Sequence, residues 1–376
     1  MIDFSQYEDL AVSLRRELHQ IPEIATEEYK TSEFIIKTLE SFGINNTKRL
    51  FNTGVTAHIG NSENPCVALR ADIDALPIEE ETGLPFSSKN KGMMHACGHD
   101  GHTAVLLATA KYLKDNEDEL TKCVKLIFQP AEEGSGGAEP MINEGVLNNP
   151  KVEKVFGFHL WPDIPSGKAE YSLDASFAEA QRYEIHIKGN GGHGAIPDGV
   201  KKCLFAASDT IEKLKELNEK FDKTLVSACA INSTGYYNVF ADEVIIKGTM
   251  RTLKEGTFSE IEKEIKEFCR TSPYDCELTP VFIYEYPCAV NHKNELNELI
   301  AAAKSVLGEE NVREGKPTYA AEDFGYFTKY SKGAHIKIGT ANPDMPNTQN
   351  PLHNPHFDID ENALKSALKI FISLIY

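Results

Sequence analysis

The sequence has no run of the ~18 consecutive apolar residues that a membrane-spanning helix requires. Its first residues, Met-Ile-Asp-Phe-Ser-Gln-Tyr-Glu-Asp, carry neither the basic nor the apolar region of a secretory signal. Positive charge is also short: 39 lysines and arginines stand against 57 aspartates and glutamates, a formal net charge of −18. A surface of that sign repels phosphate backbones and anionic lipid, so neither nucleic acid nor membrane is an expected partner. The paired C-x₂-C knuckles of structural zinc sites are missing. The eight cysteines are scattered without framework spacing, as the reduced thiols of a cytoplasmic protein are. Internal repeats and low-complexity linkers are absent too. What remains is 376 residues with 41% hydrophobic content, enough to bury a core and to fill two or three domains.

Strand and helix signals alternate through most of the chain, which predicts an α/β protein. Helices are expected over residues 6–20, 31–42 and 103–113, and from residue 361 onward with Asp360 as cap. Short apolar strands are expected over 66–72, 124–128 and 155–158. Between residues 177 and 288 the order becomes β-α-β-β-α-β, the ferredoxin-like plan. Being flanked by α/β sequence on both sides, this stretch reads as a domain inserted into a discontinuous metal-binding catalytic domain, residues 1–176 and 289–376.

Four clusters carry chemistry. Met94-His-Ala-Cys-Gly-His-Asp-Gly-His102 packs one thiol and three imidazoles just before a helix. In an extended segment residues i and i+2 point the same way, so Cys97 and His99 can reach one ion. Phe128-Gln-Pro-Ala-Glu-Glu-Gly134 places adjacent carboxylates at a strand's carboxyl end, where open α/β sheets hold their ligands. Phe156-Gly-Phe-His-Leu-Trp161 puts His159 near the end of another apolar strand, and Pro351-Leu-His-Asn-Pro-His356 is a proline-pinned loop before the last helix. Taken singly, each histidine or cysteine is more often packing than ligand. Together they make a thiolate, imidazole and carboxylate set that zinc accepts. One of Glu132 and Glu133 can ligate while its neighbour serves as the base.

These clusters resemble the M20 metallopeptidase family, in particular its amidohydrolase subgroup of aminoacylases, hippurate hydrolases and auxin-conjugate hydrolases. Arg70-Ala-Asp-Ile-Asp-Ala-Leu-Pro77 and the opening Arg15-Arg-Glu-Leu-His-Gln-Ile-Pro-Glu23 resemble that subgroup as well, and the match runs in order along essentially the whole chain. The resemblance implies two divalent ions per subunit, zinc or manganese with cobalt and nickel as alternatives, held by Cys97, His99, Glu133, His159 and His353. Cys97 stands at or near the bridging position, and Glu132 becomes the general base. The inserted domain resembles the family's lid and homodimer contact, with His193 in Gly191-Gly-His-Gly194 touching the scissile carbonyl from the partner subunit. Asn238 and Arg251 match residues that hold the substrate carboxylate, a role for which arginine is chemically suited. The implied reaction is hydrolysis of N-acyl amino acids, with a dipeptidase or carboxypeptidase of the same family as the alternative.

Asp72 is expected to orient a ligand, and His95, His102 and His356 to support or pack, with His356 the second choice to His353. His19 is expected in helix-end packing. Gly189-Asn-Gly-Gly-His-Gly194 fits G-x-G-x-x-G, but a Pro-Asp-Gly turn separates it from the next helix and the following strand ends in Asn232-Ser233, which breaks the dinucleotide fingerprint. A non-catalytic metal-binding protein is the other rival, against which the paired Glu132 and Glu133 argue. The chain departs from the subgroup at Gly194, usually alanine, at Ala241, usually proline, and at Ala320-Ala321 before Glu322, usually glycines.

Overall fold

Strands that read as unbroken apolar runs have no face to show to water. The computed structural model of the chain describes residues 3–196 and 198–376. In it Cys66–Asp72 and Cys123–Gln129 are buried at every residue, as strands covered on both faces are. They lie in parallel, with Asp72 opposite Gln129. Val152–Pro165 flanks Cys66–Asp72 in parallel on its other side, and Lys332–Ala341 follows, again in parallel. These four strands are the middle of an eight-stranded sheet. One margin adds Gly54–Ile59 and Lys48–Leu50 as antiparallel strands. The other adds Ala169–Tyr171 and Val312–Glu314. Because the middle strands run the same way, their carboxyl ends open on one rim. The register pairs Leu69 with Phe156, so Asp72 and His159 come three residues later on adjacent strands.

The chain divides into two compact units, Met1–Ser176 with Ala289–Lys316 and Asp323–Tyr376, and Phe177–Cys288 with Pro317–Glu322. The segment Pro317–Glu322, expected within the larger domain, groups with the smaller one. Its reason is local: Ala178 N–H donates to Ala320 O at 3.0 Å, and Phe177 bridges Thr318.

In the larger unit the helices Ser5–Leu18, Tyr29–Ser41, His99–Asp115, Lys293–Leu307 and Asn362–Ile375 feed one core, through Leu14, Ile35, Leu107, Leu299 and Phe371. The helix expected from residue 103 starts at His99 instead. Gly98, at φ +85°, turns the chain straight into it, so His99, Asp100 and His102 fill the buried first turn. Glu361, not Asp360, sits at the cap position of the last helix, although Asp360 Oδ1 still accepts the Asn362 N–H at 3.0 Å. Among the described residues no helix is long and apolar enough to cross a membrane.

The smaller unit holds a four-stranded antiparallel sheet in the order Thr224–Ser233, Glu243–Thr252, Glu179–Lys188, Glu277–Tyr286. Tyr183, Ile185 and Ile187 alternate onto one face, where they meet Leu214 and Leu217 of helix Cys203–Lys220 and Ile261 and Ile265 of helix Thr257–Thr271.

A buried ionic knot ties three parts of the larger unit together. Arg15 is 1% exposed and donates to Asp100 at 2.9 Å and to Asp358 at 2.8 Å. His19 is buried at the end of the first helix, as expected, and also joins the knot, its Nδ1 2.7 Å from Asp100 and its Nε2 3.3 Å from Glu80. Burial works against charge on the ring, yet Asp100 raises its pKa. Arg15→Met should therefore cost about 3–5 kcal/mol in urea unfolding, since it strips buried Asp358 of its cation and leaves buried Asp100 with His19 alone. A loss under about 1 kcal/mol, the worth of a surface pair, would show that water reaches Asp100 and Asp358.

Candidate metal centre

Cys97 is the corner shared by two clusters of potential ligands in the larger unit. Its sulfur groups with His99 and His159, and separately with Glu133 and His353, the ligand atoms of each set lying within 4.8 Å of one another. Cys97 Sγ is 3.5 Å from His159 Nε2, and His353 Nε2 is 3.1 Å from Glu133 Oε1. Gly98 brings this about: with His99 on the first helical turn, Cys97 and His99 converge around a left-handed residue rather than along an extended strand.

The outer nitrogens of the rings are already committed. His99 Nδ1 donates to the Asp74 carbonyl at 2.9 Å, and His159 Nδ1 to the Leu160 carbonyl at 2.7 Å. Those bonds occupy Nδ1 and leave Nε2 to face a cation, the orientation that metal-ligating histidines require. His99 Nε2 is buried with no hydrogen-bond partner among the described residues. His353 is brought in by its backbone, whose N–H donates to Ala96 O at 2.8 Å while its φ is +64°.

Charge around Cys97 is unbalanced. Burial and the carboxylates of Glu133 and Glu132 push its thiol well above the usual range. Burial disfavours a charged His99, but Asp72 and Asp74 lift it to about 10. Burial likewise opposes the Glu133 anion, which His353 and His99 nevertheless hold below the usual carboxylate range. The Cys97 and His99 shifts report surplus negative charge around them, whereas the Glu133 shift reports the imidazoles beside it. A soft sulfur, three imidazole nitrogens that can give up a proton to a cation, and a carboxylate fit divalent cations of the zinc and manganese type.

The remaining candidates fall into place by their partners. His102 is used at both nitrogens, donating to Asp72 Oδ1 at 2.6 Å and accepting the Leu160 N–H at 3.0 Å, so it supports rather than ligates. His356 turns away to the Glu81 carbonyl, 2.8 Å from its Nδ1. His95 is buried, and that burial depresses it to about 3. Asp72 meets Arg70 at 2.8 Å and lies 3.7 Å from His99 Nε2. Asp74, to which the sequence reading gave no role, holds the Glu133 N–H at 2.9 Å and stands 3.3 Å from His99 Nδ1. The spacing of Arg70, Asp72 and Asp74, two residues apart each time, was the signal that one face carries all three. Glu132 is 8% exposed and groups with His99 and Glu133, yet neither set sharing Cys97 includes it.

In the smaller unit Gly192–His193 pairs with Val239–Phe240, and Gly194 N–H donates to Asn238 O at 2.7 Å, which brings His193 and Asn238 onto adjoining backbone. A Cβ at Gly194 would meet the Asn238 backbone at 3.0 Å, so the glycine permits this close approach. Both His193 and Asn238 are exposed. Arg251 is half-buried on Glu243–Thr252, donates to Met250 O at 3.0 Å and lies 3.8 Å from Glu285 Oε2.

Comparison with known proteins agrees with this chemistry. The sequence model of Peptidase family M20/M25/M40 matches residues 68–376. The putative amidohydrolase YhaA of Bacillus subtilis (strain 168) is 39% identical over 371 residues, spanning 96% of this chain and 92% of that protein. N-acetyl-L-cysteine deacetylase of the same organism is 37% identical over 378 residues, 97% of this chain and 87% of that one. The crystal structure of Bacillus subtilis YxeP, described as a dinuclear metal binding peptidase from the M20 family, matches with a TM-score of 0.87 at 31% identity, covering 99% of this chain and 98% of that one.

If each cluster holds an ion, removal of its private ligands and of the shared one should differ. His159→Ala and His353→Ala should each empty one cluster, whereas Cys97→Ala should weaken both, read as bound metal per chain by elemental mass spectrometry. Identical losses in all three variants would mean that the clusters do not bind independently.

Proposed function

We infer the reaction from one premise: this chain belongs to Peptidase family M20/M25/M40. It is a metal-dependent hydrolase, and it cleaves the amide bond of N-acyl amino acids or related small amides that carry a carboxylate. The observation that carries this reading is a second carboxylate, Glu132, beside two ligand clusters that share Cys97.

Divalent cations held by Cys97, His99, Glu133, His159 and His353 would polarise the scissile carbonyl and lower the pKa of water toward ~7. Zinc or manganese suits the set, and cobalt or nickel would be accepted by the same nitrogen, oxygen and sulfur donors. Glu132 takes the proton from the attacking water and returns it to the leaving nitrogen. His193 Nδ1 accepts the Ala195 N–H at 3.1 Å, so the neutral ring carries its proton on Nε2 and offers a donor to the developing oxyanion. Arg251 spends one nitrogen on its own strand and keeps further N–H groups for a substrate carboxylate, for which Asn238 is the second proposed partner.

We read the smaller unit as a ferredoxin-like lid and dimer contact. Its strand order supports the first part. Its edge strand Thr224–Ser233 supports the second, with Leu225 38% and Ile231 49% exposed. An uncovered apolar edge is what a second copy would cover. Scattered cysteines favour the cytoplasm as its compartment.

The reading is tested by mass-spectrometric assay against a panel of N-acyl amino acids and dipeptides, with metal-stripped protein as control. Glu132→Gln should keep its metal and lose ~10²–10⁴ in kcat, while Glu133→Gln should lose metal. Equal metal loss in both variants would reverse the two roles. The shared active site is tested by mixing Glu132→Ala and His193→Ala subunits. Random exchange makes half the dimers mixed, each with one complete site of two, so roughly a quarter of wild-type activity should return. No recovery despite confirmed exchange would place His193 in its own subunit's site.

A further inference from the structure

Glu28 lies in none of the motifs that pointed to the metal centre, yet it is wholly buried. It occupies the cap position before helix Tyr29–Ser41 without capping it. Its carboxylate is used elsewhere. Oε1 accepts the N–H of Thr26 at 3.0 Å and of Ala131 at 2.9 Å, and Oε2 accepts the Thr53 hydroxyl at 2.7 Å. Ala131 immediately precedes Glu132, and at φ +60° it holds a conformation that a residue with a Cβ keeps only under constraint. The same residue is gripped at its carbonyl, where Ala131 O accepts the Gly136 N–H at 2.9 Å. Two residues on, Asp74 Oδ2 holds the Glu133 N–H at 2.9 Å. Glu132 thus leaves the chain between two anchors, Glu28 before it and Asp74 after it.

We propose that Glu28 is a positioning residue that aims Glu132, and that it acts by placing an acceptor against the Ala131 N–H rather than by its charge. The anchors divide the work: Glu28 governs the base, while Asp74 governs the neighbouring ligand Glu133. Burial holds the Glu28 carboxyl up at about 7, so a neutral amide is no foreign group there. Its three partners also allow it. The side-chain amide introduced by Glu28→Gln keeps one carbonyl oxygen for the two N–H groups and offers its NH₂ to the Thr53 oxygen, which can accept. Aspartate keeps the charge but falls one methylene short of Ala131.

The inference rests on Glu132 being the general base, and the variants separate geometry from charge. Glu28→Asp should lower kcat by about 10- to 100-fold, the scale of a misplacement near 1 Å, with KM and metal content nearly unchanged. In metal-free protein it should speed deuterium uptake in the peptide spanning Ala131. Glu28→Gln should stay within about threefold of wild type on every readout, because it retains the hydrogen bond. Thr53→Val removes a donor from the same carboxylate without touching Ala131 and should leave kcat unaltered, which guards against general loosening of the cluster. The proposal is overturned if Glu28→Asp behaves as wild type, if Glu28→Gln loses as much as Glu28→Asp, or if metal falls in step with kcat. If wild-type protein cleaves nothing in the panel, the reaction proposed above fails. The exchange measurement still decides whether Glu28 holds Ala131.

Discussion

A carboxylate buried beyond the reach of water has to be met by donors fixed in the protein. At the end of strand Cys66–Asp72 that requirement organises the surrounding chain. Asp72 is fully buried and is met by Arg70 at 2.8 Å and His102 at 2.6 Å. Arg70 is itself buried and must spend its remaining donors, on Gln129 at 2.8 Å and Asp323 at 2.9 Å. Asp323 then accepts from Gln129 and from the N–H groups of Gly137 and Ala138, at the start of helix Ala138–Asn143. One charge thereby locks two neighbouring strands and two helix starts around the rim where the ligands gather. Such a network has no cheap partial form, since removing any member strands the others in a low dielectric.

Much of this centre could be read from residue order, and the reason is period. Strand and helix alternation located seven of the larger unit's elements, although Val152–Pro165 runs well past the expected 155–158 and Gly54–Ile59, Lys293–Leu307 and Lys332–Ala341 were not anticipated; candidate ligands at strand ends follow from a parallel sheet. What could not be read was partner identity across long separations. Nothing in Arg15-Arg-Glu-Leu-His says that Arg15 meets Asp358, 343 residues away. Nor does the spacing around Gly98 reveal that the helix starts at His99, because a left-handed glycine and a flexible loop look alike in sequence. Glu28 was invisible for a similar reason: an isolated glutamate before a helix reads as a surface residue or cap, and only the fold brings Ala131 against it.

Three of the segments that carry candidate ligands turn on a residue with positive φ. Gly98 has φ +85°, Ala131 +60° and His353 itself +64°, and each sits in or beside a turn that carries a candidate ligand. His159, by contrast, rides on the strand Val152–Pro165. The centre is thus one rigid strand plus three sharply turned loops folded toward it. Positive φ at a residue with a Cβ costs of order 1–3 kcal/mol, so each turn persists because its peptide groups are held from outside. Glu28 holds Ala131 and the Ala96 carbonyl holds His353.

The net charge of −18 sets a separate condition on how an anionic substrate is handled. Summed over the surface, that charge opposes the approach of a carboxylate and gives no favourable steering. Beyond about 8–10 Å ordinary salt screens the repulsion, so it bears on encounter and hardly on the bound state. Recognition must then be made at contact distance, by few and strongly directional groups. A planar guanidinium with several N–H donors is suited to that task in a way that a diffuse basic patch is not. Arg251 has this form: burial lowers its pKa, but a guanidinium keeps its charge in proteins. The acidic surface is compatible with the carboxylate recognition proposed for Arg251, because one acts on approach and the other only after it.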